Sequence, residues 1–312
     1  MTRARLLIKI SLLGLAVLLG CYTLAGVWVW SQQKQFIFMP LRELANTPAD
    51  FGLDYEDVFI ALRPDDEKSE RLHAWWIPAR TGKGPILLYL HGSAFNIAAN
   101  IEHSRRFQRL GFSVLLLSYR GYGRSDGSFP SESGMYADAR SAWRYLIRKR
   151  GLRAERIYIY GHSLGGAVAI DLAVSQPRAA GLIVEGTFTS LPDLGRRDSR
   201  FRMLPINLIV NQRFDSLSKI DQVEMPVLFL HGTDDDLVPV DMSRQLYARA
   251  NQPKYLKLIL GGGHNNSARI GGQFYLDTIA RFVSMTFRPV QVNSHAADTA
   301  AGWIHPNIRT PM

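Results

Sequence analysis

The sequence predicts one doubly wound α/β domain, an eight-stranded, mostly parallel sheet with helices on both faces. Three observations lead there. Eight short β-branched or apolar runs alternate with helical segments between residues 55 and 261. The first two runs mix polar and apolar positions, as antiparallel edge strands do, and the later ones are continuously apolar, as parallel strands covered on both faces are. The fifth run, IYIY (157–160), passes directly into GHSLGG (161–166), a glycine density that weakens a strand and suits a sharp strand-to-helix turn. With 312 residues and 46% hydrophobic content, the chain is long enough to bury such a core.

The elements follow in order. Ile10 to Trp30 is free of charge and rich in Leu, Val, Ala and Gly. As a helix it is about 30 Å long, the thickness of a bilayer's hydrocarbon core. Arg3, Arg5 and Lys9 precede it, and Trp28 and Trp30 stand at its far end, where an aromatic belt lies. Residues 1–9 are therefore expected in the cytoplasm, 10–30 as a signal anchor across the membrane, and everything after residue 34 on the other side. Two alternatives remain open: a cleaved signal peptide, with Ala25-Gly26 as the small-residue site, and a lipoprotein processed at Leu18-Leu19-Gly20-Cys21. Nine further apolar residues after Cys21 speak against both.

Strand candidates are 55–62, 71–78, 85–91, 113–120, 157–161, 181–186, 226–231 and 255–261. Helical segments include 99–110, 135–150, 166–175 and 243–250. The formal charge is +10, from 37 basic and 27 acidic residues, and its densest cluster is Arg140–Arg156. There arginines alternate with Trp143, Tyr145, Leu146 and Ile147, the spacing of an amphipathic helix with a solvated basic face, so no nucleic-acid partner is expected. Residues 187–225 form an insertion with Phe188, Phe201, Leu204, Ile209 and Val210 alongside Arg196, Arg197, Arg200, Arg202 and Arg213. Its apolar residues suit either an acyl pocket or ordinary packing. Residues 289–312 have no period and read as a loose tail.

In open α/β sheets, ligands bind beyond the carboxyl ends of the strands. Ser163 follows the fifth strand inside a G-x-S-x-G turn, Asp234-Asp235-Asp236 follow the seventh, and His264 follows the eighth. A serine hydroxyl is a poor nucleophile until a base takes its proton, and the base needs a carboxylate to orient its ring. The chain order Ser…Asp…His supplies all three. Rival chemistries fail on spacing. RGYGRSDG (120–127) has Asp126 where a dinucleotide loop needs glycine, no phosphate-binding loop is present, and a single cysteine excludes a disulfide framework. No metal or cofactor is expected.

The motifs LYLHGSAFN (88–96), SYRGYGRSDGSFPSE (118–132), YGHSLGGAVA (160–169), EGTFTSL (185–191), RFDSLSKI (213–220), HGTDDDLVP (231–239) and GGGHNN (261–266) resemble the α/β-hydrolases. The resemblance is strongest to a membrane-anchored, small-lid branch that includes depalmitoylating and lysolipid-cleaving serine hydrolases, and it extends to serine aminopeptidase-like domains. It covers about residues 36–288. It implies Ser163 as nucleophile, His264 as general base, and Asp235, in G-x-x-D-x-x-V-P, as the acid, with Asp236 as runner-up. It also implies an oxyanion hole from the backbone N–H groups of Ser93 and Leu164, and a lid at about 187–225. HGSAFN departs from the family's usual HGNAGN. The substrate implied is a small-molecule or acylated ester or thioester; a peptide or amide, and a non-catalytic membrane-tethered binding protein, are the alternatives.

Overall fold

The computed structural model describes residues 3–287 except 64, 65, 67, 83 and 202, and for Arg200 the backbone alone. The tail expected over 289–312 and the lid residue Arg202 lie outside the described residues. The chain begins with α1 (Arg3–Ile37) and a two-residue strand, β1 (Met39–Pro40). Strands β2 (Glu56–Ala61), β3 (Arg71–Ile77), β4 (Ile86–Leu90) and β5 (Ala94–Phe95) follow. Next come α2 (Ile101–Arg109), β6 (Ser113–Leu117), α3 (Glu132–Arg144), β7 (Ile157–His162), α4 (Leu164–Ser175) and β8 (Gly181–Glu185). Short helices α5 (Leu191–Arg197) and α6 (Ile206–Ile209) precede β9 (Val227–Gly232), α7 (Val240–Arg249), β10 (Lys254–Ile259) and α8 (Ser267–Thr286).

All eight expected strands form one sheet in the order β10-β9-β8-β7-β4-β6-β3-β2. Only the β2–β3 and β3–β6 pairs are antiparallel. Strands β4, β6 and β8 are buried along their whole length, which accounts for their unbroken apolar sequences. Alternate residues feed two cores. Ile86, Leu88 and Leu90 of β4 pack with residues of α3, α4 and α7, and Leu87 and Tyr89 pack with residues of α2 and α8.

Several details differ from the sequence expectations. β1 and β5 form a separate parallel pair that places the chain just after α1 beside the loop following β4. The helix expected over 135–150 starts three residues earlier, where the Ser131 hydroxyl accepts from the Gly134 amide, and it loosens into a wide turn over Tyr145–Lys149. Its basic face is not wholly solvated: Arg150 lies 4.8 Å over the Trp76 ring and donates to Glu56. The order of strands reverses between β4 and β7, the place where such sheets open a crevice at their carboxyl ends. Gly92 follows one of these strands and Ser163 the other.

Candidate active site

Ser163 caps the N-terminus of α4 with φ 54° and ψ −123°. That backbone costs a residue with a side chain about 1–3 kcal/mol and persists only where the surroundings enforce it. Here the enforcement is close backbone contact. A Cβ on Gly161 would lie 2.1 Å from the Gly165 carbonyl oxygen, and one on Gly165 would lie 2.1 Å from that of Leu90. Only glycine lets α4 approach β7 and β4 so closely, and this explains the density of glycine around the serine. The Ser163 amide donates to the Glu185 carbonyl at 2.9 Å, tying the turn to β8.

The loops after β9 and β10 bring two more groups to this turn. His264 Nε2 lies 2.9 Å from Ser163 Oγ, and His264 Nδ1 lies 2.8 Å from Asp235 Oδ2. The Asp235 side chain is only 1% exposed. Its other oxygen accepts from the amides of Leu237 and Val238 at 3.0 and 2.8 Å. Burial works to raise the pKa of Asp235, but hydrogen bonds from His231 and His264, the electrostatic attraction between Asp235 and His264, and the Val238 amide outweigh it and hold the carboxyl well below its usual range. A carboxylate fixed as an anion on Nδ1 leaves Nε2 free to accept the serine proton.

Each sequence candidate has a definite place. Ser163, His264 and Asp235 come together. Asp234 and Asp236 are exposed, with Asp234 accepting from the Thr233 hydroxyl and Asp236 at the rim of the cavity above the serine. Leu164 is the first residue of α4, where the helix presents unpaired amides and the positive end of its dipole. Ser93 follows Gly92, at which a Cβ would touch the Ser163 side chain at 3.4 Å. The Ser93 carbonyl is turned away to accept from Met39 N and Tyr122 Oη. Among the described residues, neither the Ser93 nor the Leu164 amide donates to another group of the chain. HGSAFN departs from HGNAGN at Ser93 and at Phe95, and Phe95 holds φ 63° and adds an exposed ring to the cavity lining.

Other residues at the site are visible only in three dimensions. His231 lies 3.2 Å from Asp235 and is itself held by the Val238 carbonyl and the Ser243 hydroxyl. His162 donates from Nε2 to the His264 carbonyl at 2.9 Å, and the two rings pack 4.9 Å apart. Burial, with the neighbouring His264, lowers the pKa of His162. Glu185, 4% exposed, accepts from the hydroxyls of Tyr160 and Tyr275 beneath the cavity. Burial opposes its ionisation, but His103, His162 and those hydroxyls prevail and lower its pKa. Each of these histidines was present in a turn or helix of the sequence, but no spacing there distinguishes a ring that positions another group from one that fills space.

The cavity over Ser163 has a volume of about 1030 Å³. It is lined by Phe188, Leu191, Leu194, Ile206 and Val210 of the segment between β8 and β9, and by polar groups such as Asn100, His103 and Arg106 of the α2 region. The apolar residues of the insertion thus divide. Phe188, Phe201 and Val210 line the cavity, Phe214 is in the core, and Met203 and Leu208 are exposed.

Comparison with known proteins agrees with this architecture. The family model described as Serine aminopeptidase, S33 matches residues 83–212. An uncharacterized protein of Mycobacterium tuberculosis is 35% identical over 261 residues, covering 83% of this chain and 90% of that protein. The alpha/beta hydrolase domain-containing protein WAV2 of Arabidopsis thaliana is 32% identical over 275 residues, covering 80% of this chain and 87% of that protein. Among solved structures, an esterase of Pyrococcus furiosus has a TM-score of 0.67 at 22% identity, covering 81% of this chain and 99% of that chain.

Proposed function

The chain belongs to the α/β-hydrolase family, and from that premise we propose that it is a serine hydrolase cleaving carboxylic esters or thioesters through an acyl-enzyme. The observation that carries this reading is the unbroken line of contacts from Ser163 Oγ through His264 to Asp235, at 2.9 and 2.8 Å. Ser163 attacks the acyl carbonyl while His264 Nε2 takes its proton, and the amides of Ser93 and Leu164 donate to the oxygen as it becomes negative. His264 then returns the proton to the leaving alcohol or thiol. Water, deprotonated by the same ring, releases the acid. Asp235 keeps Nδ1–H in place and stabilises the imidazolium.

An apolar cavity wall beside the nucleophile favours an acyl chain as the electrophile's substituent. The same geometry attacks amides, so aminoacyl amides belong in the test. Purified full-length protein, assayed with acyl esters of graded length, acyl thioesters and aminoacyl amides and labelled with a fluorophosphonate, is expected to label and to turn over the esters or thioesters fastest. Faster turnover of the amides would make it a peptidase. No labelling and no turnover would make it a tethered binding protein.

Helix α1, at 35 residues, is long and apolar enough to cross a membrane. Its basic start favours, by the positive-inside tendency, a cytoplasmic N-terminus with the hydrolase domain on the other side. Protease treatment of intact cells expressing a C-terminally tagged chain is expected to digest the domain. A protected tag would reverse the orientation, and a shortened product would mean processing near Cys21 or Gly26.

A further inference from the structure

We propose that α1 is a wall of the substrate pocket as well as an anchor, and that Gln33 clasps it to the lid so that a long acyl chain lies between the two. This rests on the reading of the site as an acyl-ester hydrolase. The cavity over Ser163 extends to the end of α1, where Val29, Gln33, Phe36 and Ile37 line it. Val29 to Ile37 supplies about 12 Å of helical wall.

Gln33 is the one buried residue among those described in α1, at 4% exposure, in a helix whose apolar residues are mostly open. A buried amide is costly unless its groups are paired. Gln33 Oε1 accepts from the Asn211 amide at 2.8 Å and the Gln212 amide at 3.4 Å, and Nε2 donates to the carbonyls of Trp30 at 2.7 Å and Ile209 at 3.4 Å. The clasp continues into the domain. The Gln212 side chain accepts from the Glu132 amide, and the Glu132 carboxylate accepts from the amides of Arg213 and Phe214.

Two more contacts fix α1 along the lid. Tyr22 donates to the Met203 carbonyl at 2.7 Å, and a Cβ on Gly26 would meet Ile209 at 3.6 Å. A helix serving only as a tether needs none of these bonds. Met203 and Leu208 of the lid are 78% and 85% exposed, and Met203 lies beside Tyr22 of α1, so an exposed apolar part of the lid adjoins the helix that lines the cavity. The occupant that fits is the acyl chain of an ester resident in the bilayer, entering past α1 toward Ser163.

The test uses the full-length protein in detergent micelles, with 4-nitrophenyl butyrate and palmitate as probes and fluorophosphonate labelling as the check on an intact site. Val29→Trp narrows the wall, Gln33→Leu removes the clasp, and Gly26→Leu pushes α1 off the lid without touching the cavity. Because an apolar pocket discriminates by about tenfold or more for a single methylene, the palmitate-to-butyrate ratio of kcat/KM is expected to fall at least about tenfold in each variant. A ratio within about twofold of wild type in all three, with labelling retained, overturns the proposal and leaves the hydrolase reading standing. Absence of labelling and of ester turnover in the wild type sinks the hydrolase reading, and this proposal with it.

Discussion

Helices α1 and α4 are both predominantly apolar, with no polar stripe along either, yet they meet opposite surroundings. In α4, nine of the 12 residues are buried among β4, β7, β8 and α3. In α1, only Gln33 of the 35 residues is buried. A helix without a polar face needs an apolar environment all round it. The protein supplies one for α4, at about 18 Å too short to cross a bilayer, and leaves α1, at about 50 Å, to find its own. Composition does not separate the two cases, whereas length and the charges at the ends do. On the proposed reading the pair also divides the work, with the nucleophile at the head of α4 and α1 presenting that site to a lipid surface.

The sharpest way to test the role of α4 is at its cap. Ser163→Ala is expected to lower kcat for an ester by about 10⁶-fold. Its circular dichroism and Tm should match wild type, because the change removes one hydroxyl. Near-native turnover would end the assignment.

Next in size is the carboxylate held against His264 Nδ1. Asp235→Asn is expected to cost about 10⁴-fold in kcat, and Asp234→Asn and Asp236→Asn less than about tenfold, since their side chains are exposed. Steady-state kinetics on the three variants decide it, and a larger loss at Asp236 moves the role by one residue.

The comparison of the helices can be broken with one substitution in each. Val168→Asp places an unpaired charge in the fully buried face of α4 and is expected to destabilise the domain by about 3 kcal/mol or more, read as a lowered denaturation midpoint. Leu15→Asp in exposed α1 is expected to change domain stability by less than about 0.5 kcal/mol but to weaken membrane insertion by about 3 kcal/mol. Unfolding caused by Leu15→Asp, or tolerance of Val168→Asp, would mean that the surroundings of these helices are misassigned.

The smallest effect is on acid stability. Folding lowers the pKa of Asp235, so the unfolded chain binds the proton more readily and stability falls as pH drops. Its contribution is complete above the unfolded value of about 3.9 and is lost progressively below it. Wild type is therefore expected to lose stability more steeply than Asp235→Asn as pH falls through this range. Equal slopes in denaturant titrations would remove Asp235 from that role.

Much of the sheet was legible from residues because burial on both faces leaves a continuous apolar run, as in ILLYL of β4 and GLIVE of β8. The G-x-S-x-G turn was legible because only glycine fits where two backbones touch. The β1–β5 pair was not, since two residues carry no period. Neither was the clasp of Gln33, whose lid partners lie 176 to 179 positions away and leave no local pattern. His162 and His231 look in sequence like ordinary members of glycine turns, and their tasks arise only when the loops after β9 and β10 fold over them. The α3 boundary moved because Ser131 offers a cap that hydrophobic periodicity does not register.

The central claim is that Ser163 is the group acylated during turnover. The most direct measurement is intact-mass and peptide mass spectrometry of the full-length protein after reaction with a fluorophosphonate. One adduct on the peptide containing Ser163, absent in Ser163→Ala and formed more slowly in the presence of excess ester substrate, is the predicted result. An adduct on another residue, or ester turnover by a protein that forms no adduct at Ser163, would contradict the account.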